Sequence, residues 1–148
     1  MKGWIMGGVG LAAICLPGVA AAGADRIIAA AREICANYEN GVFSQGDALA
    51  AVDLDGDGDL DTLIDESRFE CSSAASMYCG SGGCMLHAVI DGQAWAFQAE
   101  GWRMIDWNGR PILLIARDGG WCGGAGAQIC YEAVSWSDGR MMTVMPRP

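Results

Sequence analysis

Residues 84–116 read CMLHAVIDGQAWAFQAEGWRMIDWNGRPILLIA, and their pattern indicates the fold class of the chain. It contains Asp91-Gly92 and Asn108-Gly109, two dipeptides typical of two-residue hairpin turns. On either side of them, apolar and aromatic residues recur at every second position, as they do in strands that bury one face. The stretch therefore predicts four consecutive antiparallel strands.

A helix is predicted upstream, from Asp25 to Asn40. Apolar residues recur there at spacings of three and four, and Ile34 and Tyr38 belong to that series. Asn40-Gly41 supplies the stop signal at its end. The segment therefore predicts one amphipathic helix that precedes the strands.

The strand pattern also extends beyond the central stretch on both sides. Asp138-Gly139 marks another hairpin, and glycine-rich loops are predicted at 80–83 and 119–126. The fold class is thus α+β, mainly β: an antiparallel β-meander of about eight strands with one N-terminal helix, stapled by disulfides. The predicted strands lie near 48–53, 61–65, 84–90, 93–99, 102–107, 110–116, 127–136 and 140–145.

Composition restricts the possible partners. The chain has 148 residues, of which 52% are hydrophobic, so it is long enough and apolar enough for a single packed domain. It has 18 acidic and 9 basic residues, which give a net charge of −9. Because this charge repels phosphates and anionic lipids, we expect no nucleic-acid partner and, after removal of a leader, no membrane partner.

Residues 1–24 have the pattern of a secretory signal peptide. Lys2 precedes an apolar run at 5–16, and small residues with two small-x-small cleavage motifs follow. The mature chain then begins at Gly23 or Asp25 and forms one domain to residue 148. An uncleaved membrane anchor and a lipoprotein are the alternative interpretations. We expect the protein to be periplasmic or secreted.

Removal of the leader leaves an even number of cysteines, which in an exported chain predicts disulfides. Six cysteines allow fifteen pairings. Proximity favours one disulfide across each of the two glycine-rich loops, which leaves the helix cysteine to pair with the sixth cysteine. The favoured pairs are Cys79 with Cys84, Cys122 with Cys130, and Cys35 with Cys71.

The segment from Asp53 to Asp61 carries an aspartate at every second position. Neighbouring carboxylates about 6 Å apart repel each other by about 0.7 kcal/mol even in water, so a cation is expected among them. The spacing D-x-D-x-D-G matches loops that wrap oxygens around Ca²⁺. The predicted ligands are the side chains of Asp53, Asp55 and Asp57, the backbone carbonyl of Asp59, and Asp61 directly or through water. The alternative is an acidic solvated turn.

This segment resembles the calcium loops of EF-hands and of FG-GAP-type repeats. The position of the bidentate EF-hand glutamate is Ile64, so the resemblance implies a metal site in a hairpin and no propeller fold. The mature chain is also similar to small exported bacterial proteins. They combine such a loop with a C-G-S-G-G-C hairpin and a C-G-G-x-G loop, which here are Cys79–Cys84 and Cys122–Cys130. That resemblance implies no known activity.

The functional prediction is an exported, non-catalytic, calcium-binding protein that binds a protein or glycan in the cell envelope. Trp121 is the predicted binding residue, because it lies in a glycine-rich loop and loops on rigid scaffolds often carry binding. The alternatives are a secreted inhibitor that presents loop 79–84 and a periplasmic hydrolase. The residues considered for other chemistry are Ser81 with His87, Glu100 with Asp106, and a zinc set of Cys71, Cys79, Cys84 and His87.

Overall fold

The computed structural model describes residues 19–144, so most of the predicted signal peptide lies outside the described residues. Within these residues the fold is mainly β with one α-helix, as predicted. Short 3₁₀ helices span Glu66–Arg68 and Gly119–Cys122. The main elements are α1 Val19–Asn37, β1 Phe43–Ser44, β2 Leu49–Val52, β3 Asp61–Asp65, β4 Glu70–Cys71, β5 Cys79–Gly80, β6 Gly83–Ile90, β7 Gln93–Ala99, β8 Gly101–Trp107, β9 Arg110–Arg117, β10 Cys130–Ser137 and β11 Arg140–Val144.

All eight predicted strands are present, and the described part of the chain adds three more. The additional strands β1, β4 and β5 have two residues each, too few for a periodic pattern in the sequence. Two of them lie beside a disulfide: β4 ends at Cys71, and β5 places Cys79 opposite Cys84. These short strands therefore form where a long-range or cross-strand link holds the chain together.

The strands form two main sheets. The first has the order β2-β3-β6, with β5 and β7 also paired to β6. The second is the meander β8-β9-β10-β11. Buried side chains of both sheets form one core, so the sheets pack face to face. Trp95 of β7 meets Trp136 of β10 across this core, edge to face, with ring centroids 5.1 Å apart.

Helix α1 packs on the other side of the first sheet, through a second core that includes Ile28, Ile64 and Val89. It begins at Val19, six residues before the predicted start, because the alanine-rich segment in front of Asp25 continues the helix. Its buried stripe is Ala24, Ile28, Ala31 and Cys35. The expectation that Ile34 and Tyr38 share the buried face was wrong, since they are 57% and 50% exposed.

The three disulfides are those favoured by proximity. Cys35 is joined to Cys71, Cys79 to Cys84, and Cys122 to Cys130. The first pair links the helix to β4 across 36 residues, whereas the other two close local loops. Because these cysteines are bonded to one another, the alternative zinc set is excluded.

Candidate metal centre

The aspartate loop connects β2 to β3 as a hairpin. Val52 and Asp61 form the last residue pair of the two strands before the loop. Asp53 directly follows β2 and Asp61 opens β3, so the strands fix the two ends of the loop beside each other. The segment is therefore a strand-loop-strand unit and not the helix-loop-helix of an EF-hand.

The carboxylates of three predicted ligands converge. Asp53, Asp55 and Asp61 each place one carboxylate oxygen within 4.8 Å of the other two. The carboxylate of Asp57, also a predicted ligand, is not part of this cluster. Neither is the carboxylate of Asp59, whose predicted ligand atom is its backbone carbonyl, and both residues are exposed. The loop therefore offers a cluster of three carboxylates that could hold a metal ion, with its deepest member, Asp61, only 9% exposed.

Hydrogen bonds from backbone N–H groups to aspartate carboxylates hold the loop in this shape. The N–H groups of Gly56 and Gly58 donate to the two carboxylate oxygens of Asp53, at 2.6 and 3.1 Å. The Leu54 N–H donates to Oδ2 of Asp61 at 2.9 Å. Both glycines have positive φ, +82° and +95°, a backbone conformation that side chains rarely adopt. The glycines thus allow the chain to turn around Asp53.

The same turn removes Asp57 from the cluster. Its N–H donates to Oδ1 of Asp55 at 3.1 Å, and its own Oδ1 accepts from the Asp59 N–H at 2.8 Å. An alternating strand would keep residues 53, 55 and 57 on one face. Positive φ angles on both sides of Asp57 break that alternation.

The cluster is electrostatically costly without a cation. Burial raises the pKa of Asp61 above its ordinary value, and the charges of Asp55, Asp57 and Asp53 raise it further, although the hydrogen bond from the Leu54 N–H offsets part of this rise. Burial is also the main cause of the raised pKa of Asp55, with added repulsion from Asp57 and Asp53. A bound cation would reverse this repulsion, and an all-oxygen cluster suits hard cations such as Ca²⁺ or Mg²⁺ better than soft ones.

Trp121 lies in the 3₁₀ helix after β9 and is 49% exposed. The guanidinium carbon of Arg117 lies 4.5 Å from the centroid of its ring. One part of the indole is thus used in an internal cation–π contact. Only the exposed part of the Trp121 ring is available to a binding partner.

The structure does not assemble either candidate catalytic pair. His87 lies within β6 with its Nε2 2.7 Å from Oε1 of Glu66, whereas Ser81 is at the exposed tip of the β5–β6 hairpin. Glu100 immediately precedes β8, and Asp106 lies near its other end, about 20 Å away at the rise of a strand. Instead, Glu100 lines three shallow cavities of about 510, 370 and 410 Å³.

The structure contains a buried ion pair that was not predicted from the sequence. Arg117 and Glu132 are 4% and 2% exposed, and Nε of the arginine donates to Oε2 of the glutamate at 2.5 Å. Nη2 of the arginine also pairs with Oε2 of the glutamate, and Nη1 donates to the Gln98 carbonyl. Oε1 of the glutamate accepts from the Thr143 hydroxyl. The alternation of β10 could have indicated that Glu132 is buried, because Glu132 is in phase with the inward-facing Val134.

Within residues 19–144, no helix is both long and apolar enough to cross a bilayer. Comparison with protein families, curated proteins and solved structures finds no match to this chain.

Proposed function

We propose that this protein is an exported, non-catalytic, calcium-binding protein whose disulfide-stapled domain binds a macromolecule in the cell envelope. The observation that carries the calcium assignment is the convergence of the Asp53, Asp55 and Asp61 carboxylates. The D-x-D-x-D-G spacing, shared with FG-GAP-type and EF-hand loops, supports it. The three disulfides support export, since such bonds persist in oxidising compartments.

Calcium is preferred over magnesium for a geometric reason. Ca²⁺ accepts six to eight oxygens at variable angles, whereas Mg²⁺ demands near-ideal octahedral geometry. In this loop Asp53 already uses both oxygens to accept hydrogen bonds from Gly56 and Gly58, which limits how its carboxylate can rotate. A cation that tolerates irregular geometry therefore fits better, with backbone carbonyls and water completing its coordination.

The calcium site predicts a metal-dependent melting temperature. EDTA should lower it, and Ca²⁺ should restore it better than Mg²⁺. If free calcium is about ten times the dissociation constant, the stabilisation is about 1.4 kcal/mol. Asp55→Ala should abolish the response, measured by differential scanning fluorimetry and by calorimetric titration of the demetallated protein.

Asp59→Ala is the matched control, because it removes a carboxylate of the same loop that lies outside the three-membered cluster. The control should keep the response. The site would be excluded if the two variants responded equally to calcium, or if neither EDTA nor calcium changed the melting temperature of the wild type.

The raised pKa of Asp61 predicts the pH dependence of the metal-free protein. A carboxyl whose folded pKa is raised costs nothing below its ordinary value of 3.8 and destabilises the fold as pH rises through the folded pKa. Asp61→Asn removes this charge, and its side-chain oxygen can still accept the Leu54 N–H. The variant should therefore exceed the wild type in stability at neutral pH in EDTA, as measured by urea denaturation.

That advantage should vanish in acid, where Asp61 is protonated in both folded and unfolded chains. In calcium the order should reverse, because the variant has lost a ligand. A variant that is less stable than the wild type at neutral pH in EDTA would show that the charge of Asp61 does not destabilise the fold.

Export also predicts a specific mature terminus, at Gly23 and not at Asp25. A Cβ at Gly23 would lie 2.9 Å from Cγ1 of Val89, so the glycine packs closely on β6. Ala24 is only 7% exposed and belongs to the core beneath the helix. Cleavage after Ala24 would remove both residues from that core.

Intact-mass spectrometry of protein from a periplasmic extract should give the mass of residues 23–148. Two purified chains, beginning at Gly23 and at Asp25, serve as the comparison, and the shorter one should melt at a lower temperature. An exported chain that begins at Asp25, or equal melting of the two, would contradict the packing argument.

A further inference from the structure

Strand β8 lies at an edge of the second sheet. Among the strands of residues 19–144 it pairs with β9 alone, so its other side has no neighbouring strand. Along an antiparallel pair, residues that bond to the neighbour alternate with residues whose N–H and C=O groups point away from it. The register with β9 therefore determines which backbone groups of β8 face the free edge.

A proline in β9 identifies those groups. Pro111 has no N–H to donate, and it lies opposite Asp106, so these two residues form a pair without mutual hydrogen bonds. Counting back in steps of two, Met104 and Trp102 belong to the same set. Within residues 19–144 their N–H and C=O groups accept or donate no hydrogen bond outside the β8–β9 pair. The free edge of β8 thus presents three donors and three acceptors.

The other edge strands offer shorter or partly occupied edges. In β7 the carbonyl of Gln98 accepts a hydrogen bond from Arg117. The edge strand β2 has four residues and β11 has five. Strand β8 has seven residues and no proline, although natural proteins usually protect long edges with prolines or short strands. Its edge is therefore the most complete template for another strand.

A cavity of about 370 Å³ adjoins the first half of β8. Trp102 lines it on one side, and Ala48 and Ala50 at the edge of the first sheet line it on the other. The ring of Trp102 is held there by a hydrogen bond of 3.0 Å from its Nε1 to Oδ2 of Asp65. A strand that lies along β8 would therefore have room for a side chain that points towards the first sheet.

The surroundings of this edge are acidic. The aspartate loop lies at its far end, since a Cβ at Gly56 would be 3.4 Å from Cδ of Pro111. That loop carries five aspartates, which a single divalent cation only partly neutralises. The other charged residues on β8, at its turn and around the cavity are Asp47, Asp65, Glu100 and Asp106, with Arg68, Arg103 and Arg110. Carboxylates therefore outnumber arginines along the whole edge.

We propose that the free edge of β8 binds an extended, basic segment of a partner protein by strand addition. A polypeptide backbone carries N–H and C=O groups at the spacing of this ladder, which glycans and lipids do not. Basic side chains of the segment would pair with carboxylates such as Glu100 and Asp106. The proposal names the partner of the macromolecule binding proposed above and rests on that binding, but it does not depend on calcium.

The same charges argue against a second copy of this chain as the occupant. Two β8 strands paired with each other would bring the acidic surroundings of both edges together, and each chain has a net charge of −9. A basic segment removes this repulsion.

Amide hydrogen exchange of the mature protein, measured by nuclear magnetic resonance, tests the proposal. The probe is a peptide of four Lys-Val repeats with both termini blocked. Saturating peptide should slow exchange of the Trp102, Met104 and Asp106 amides about tenfold. The Arg103 and Ile105 amides already bond to β9 and should change little. The result should be the same in EDTA and in calcium.

Met104→Pro removes the central donor of the edge and leaves the bonds to β9 in place, since proline is tolerated where the N–H faces solvent. It should weaken peptide binding about tenfold in calorimetric titration. Met104→Ala is the matched control, because it loses the same side chain and keeps the N–H. This control should bind like the wild type.

N-methylated peptides give the same test from the side of the ligand, even if the proline variant does not fold. One peptide is methylated at its lysine amides and the other at its valine amides. Because the amides of an added strand alternate between its two sides, only one of these peptides should retain binding. Loss of binding in both, or in neither, would contradict strand addition.

Other results would also overturn the proposal. These are an unchanged exchange of the three edge amides, equal binding by the two Met104 variants, or equally tight binding of a Glu-Val peptide. A dimer in sedimentation velocity that Met104→Pro abolishes and Met104→Ala retains would assign the edge to a second copy. None of these results alters the expected melting response to calcium, so failure at this edge is distinguishable from failure of the calcium site.

Discussion

Replacing Glu132 by leucine is expected to lower the free energy of unfolding by about 3–5 kcal/mol, because it leaves the Arg117 charge buried without its partner. Arg117 is held at the junction of three elements. Besides Glu132 it contacts the carbonyl of Gln98 in β7 and lies over the ring of Trp121.

The double variant Arg117→Met with Glu132→Leu is the control for this prediction. It removes both charges and keeps the side chains similar in size, so much of the lost stability should return. Urea denaturation followed by circular dichroism measures all three proteins. If the single and double variants lose the same stability, packing and not the uncompensated charge accounts for the effect.

Removal of the disulfide between Cys35 and Cys71 should have the second large effect. It closes a loop of 36 residues, for which the chain-entropy estimate is about 4 kcal/mol. Both sulfur atoms are in buried residues, 0% and 6% exposed, so alanine is a better replacement than serine. The double variant Cys35→Ala with Cys71→Ala should therefore unfold at a much lower denaturant concentration than the wild type.

The matched control removes the disulfide between Cys79 and Cys84. That bond spans only five residues, and the same estimate gives about 2 kcal/mol. The control should lose roughly half as much stability, measured by urea denaturation under identical conditions. An equal loss in the two variants would show that loop length does not determine the contribution of these bonds.

The strands and turns were predictable because their signals are local. The Asp91-Gly92 and Asn108-Gly109 dipeptides lie at two-residue turns with positive φ at each residue, as the hairpin geometry requires. The pairing of the cysteines was also accessible, since two of the three loops are short. The division of the strands between two sheets was not, because it depends on contacts between residues far apart in sequence.

The candidate site was predictable only in part. The alternation of aspartates located the loop and correctly placed it between two strands. Alternation alone could not show that positive φ at Gly56 and Gly58 turns Asp57 outward, or that Asp61 returns to the cluster at the start of β3. The Arg117–Glu132 pair was hidden for a similar reason, because its partners meet only when β9 and β10 pair.

The contact between Trp95 and Trp136 has a spectroscopic consequence. Two indoles at 5.1 Å and nearly perpendicular, 88°, lie close enough for their electronic transitions to couple. Each belongs to a different sheet, so the coupling exists only when the sheets have docked. An exciton couplet in the far-ultraviolet dichroism would therefore report the joining of the two halves of the domain, separately from the formation of the strands themselves.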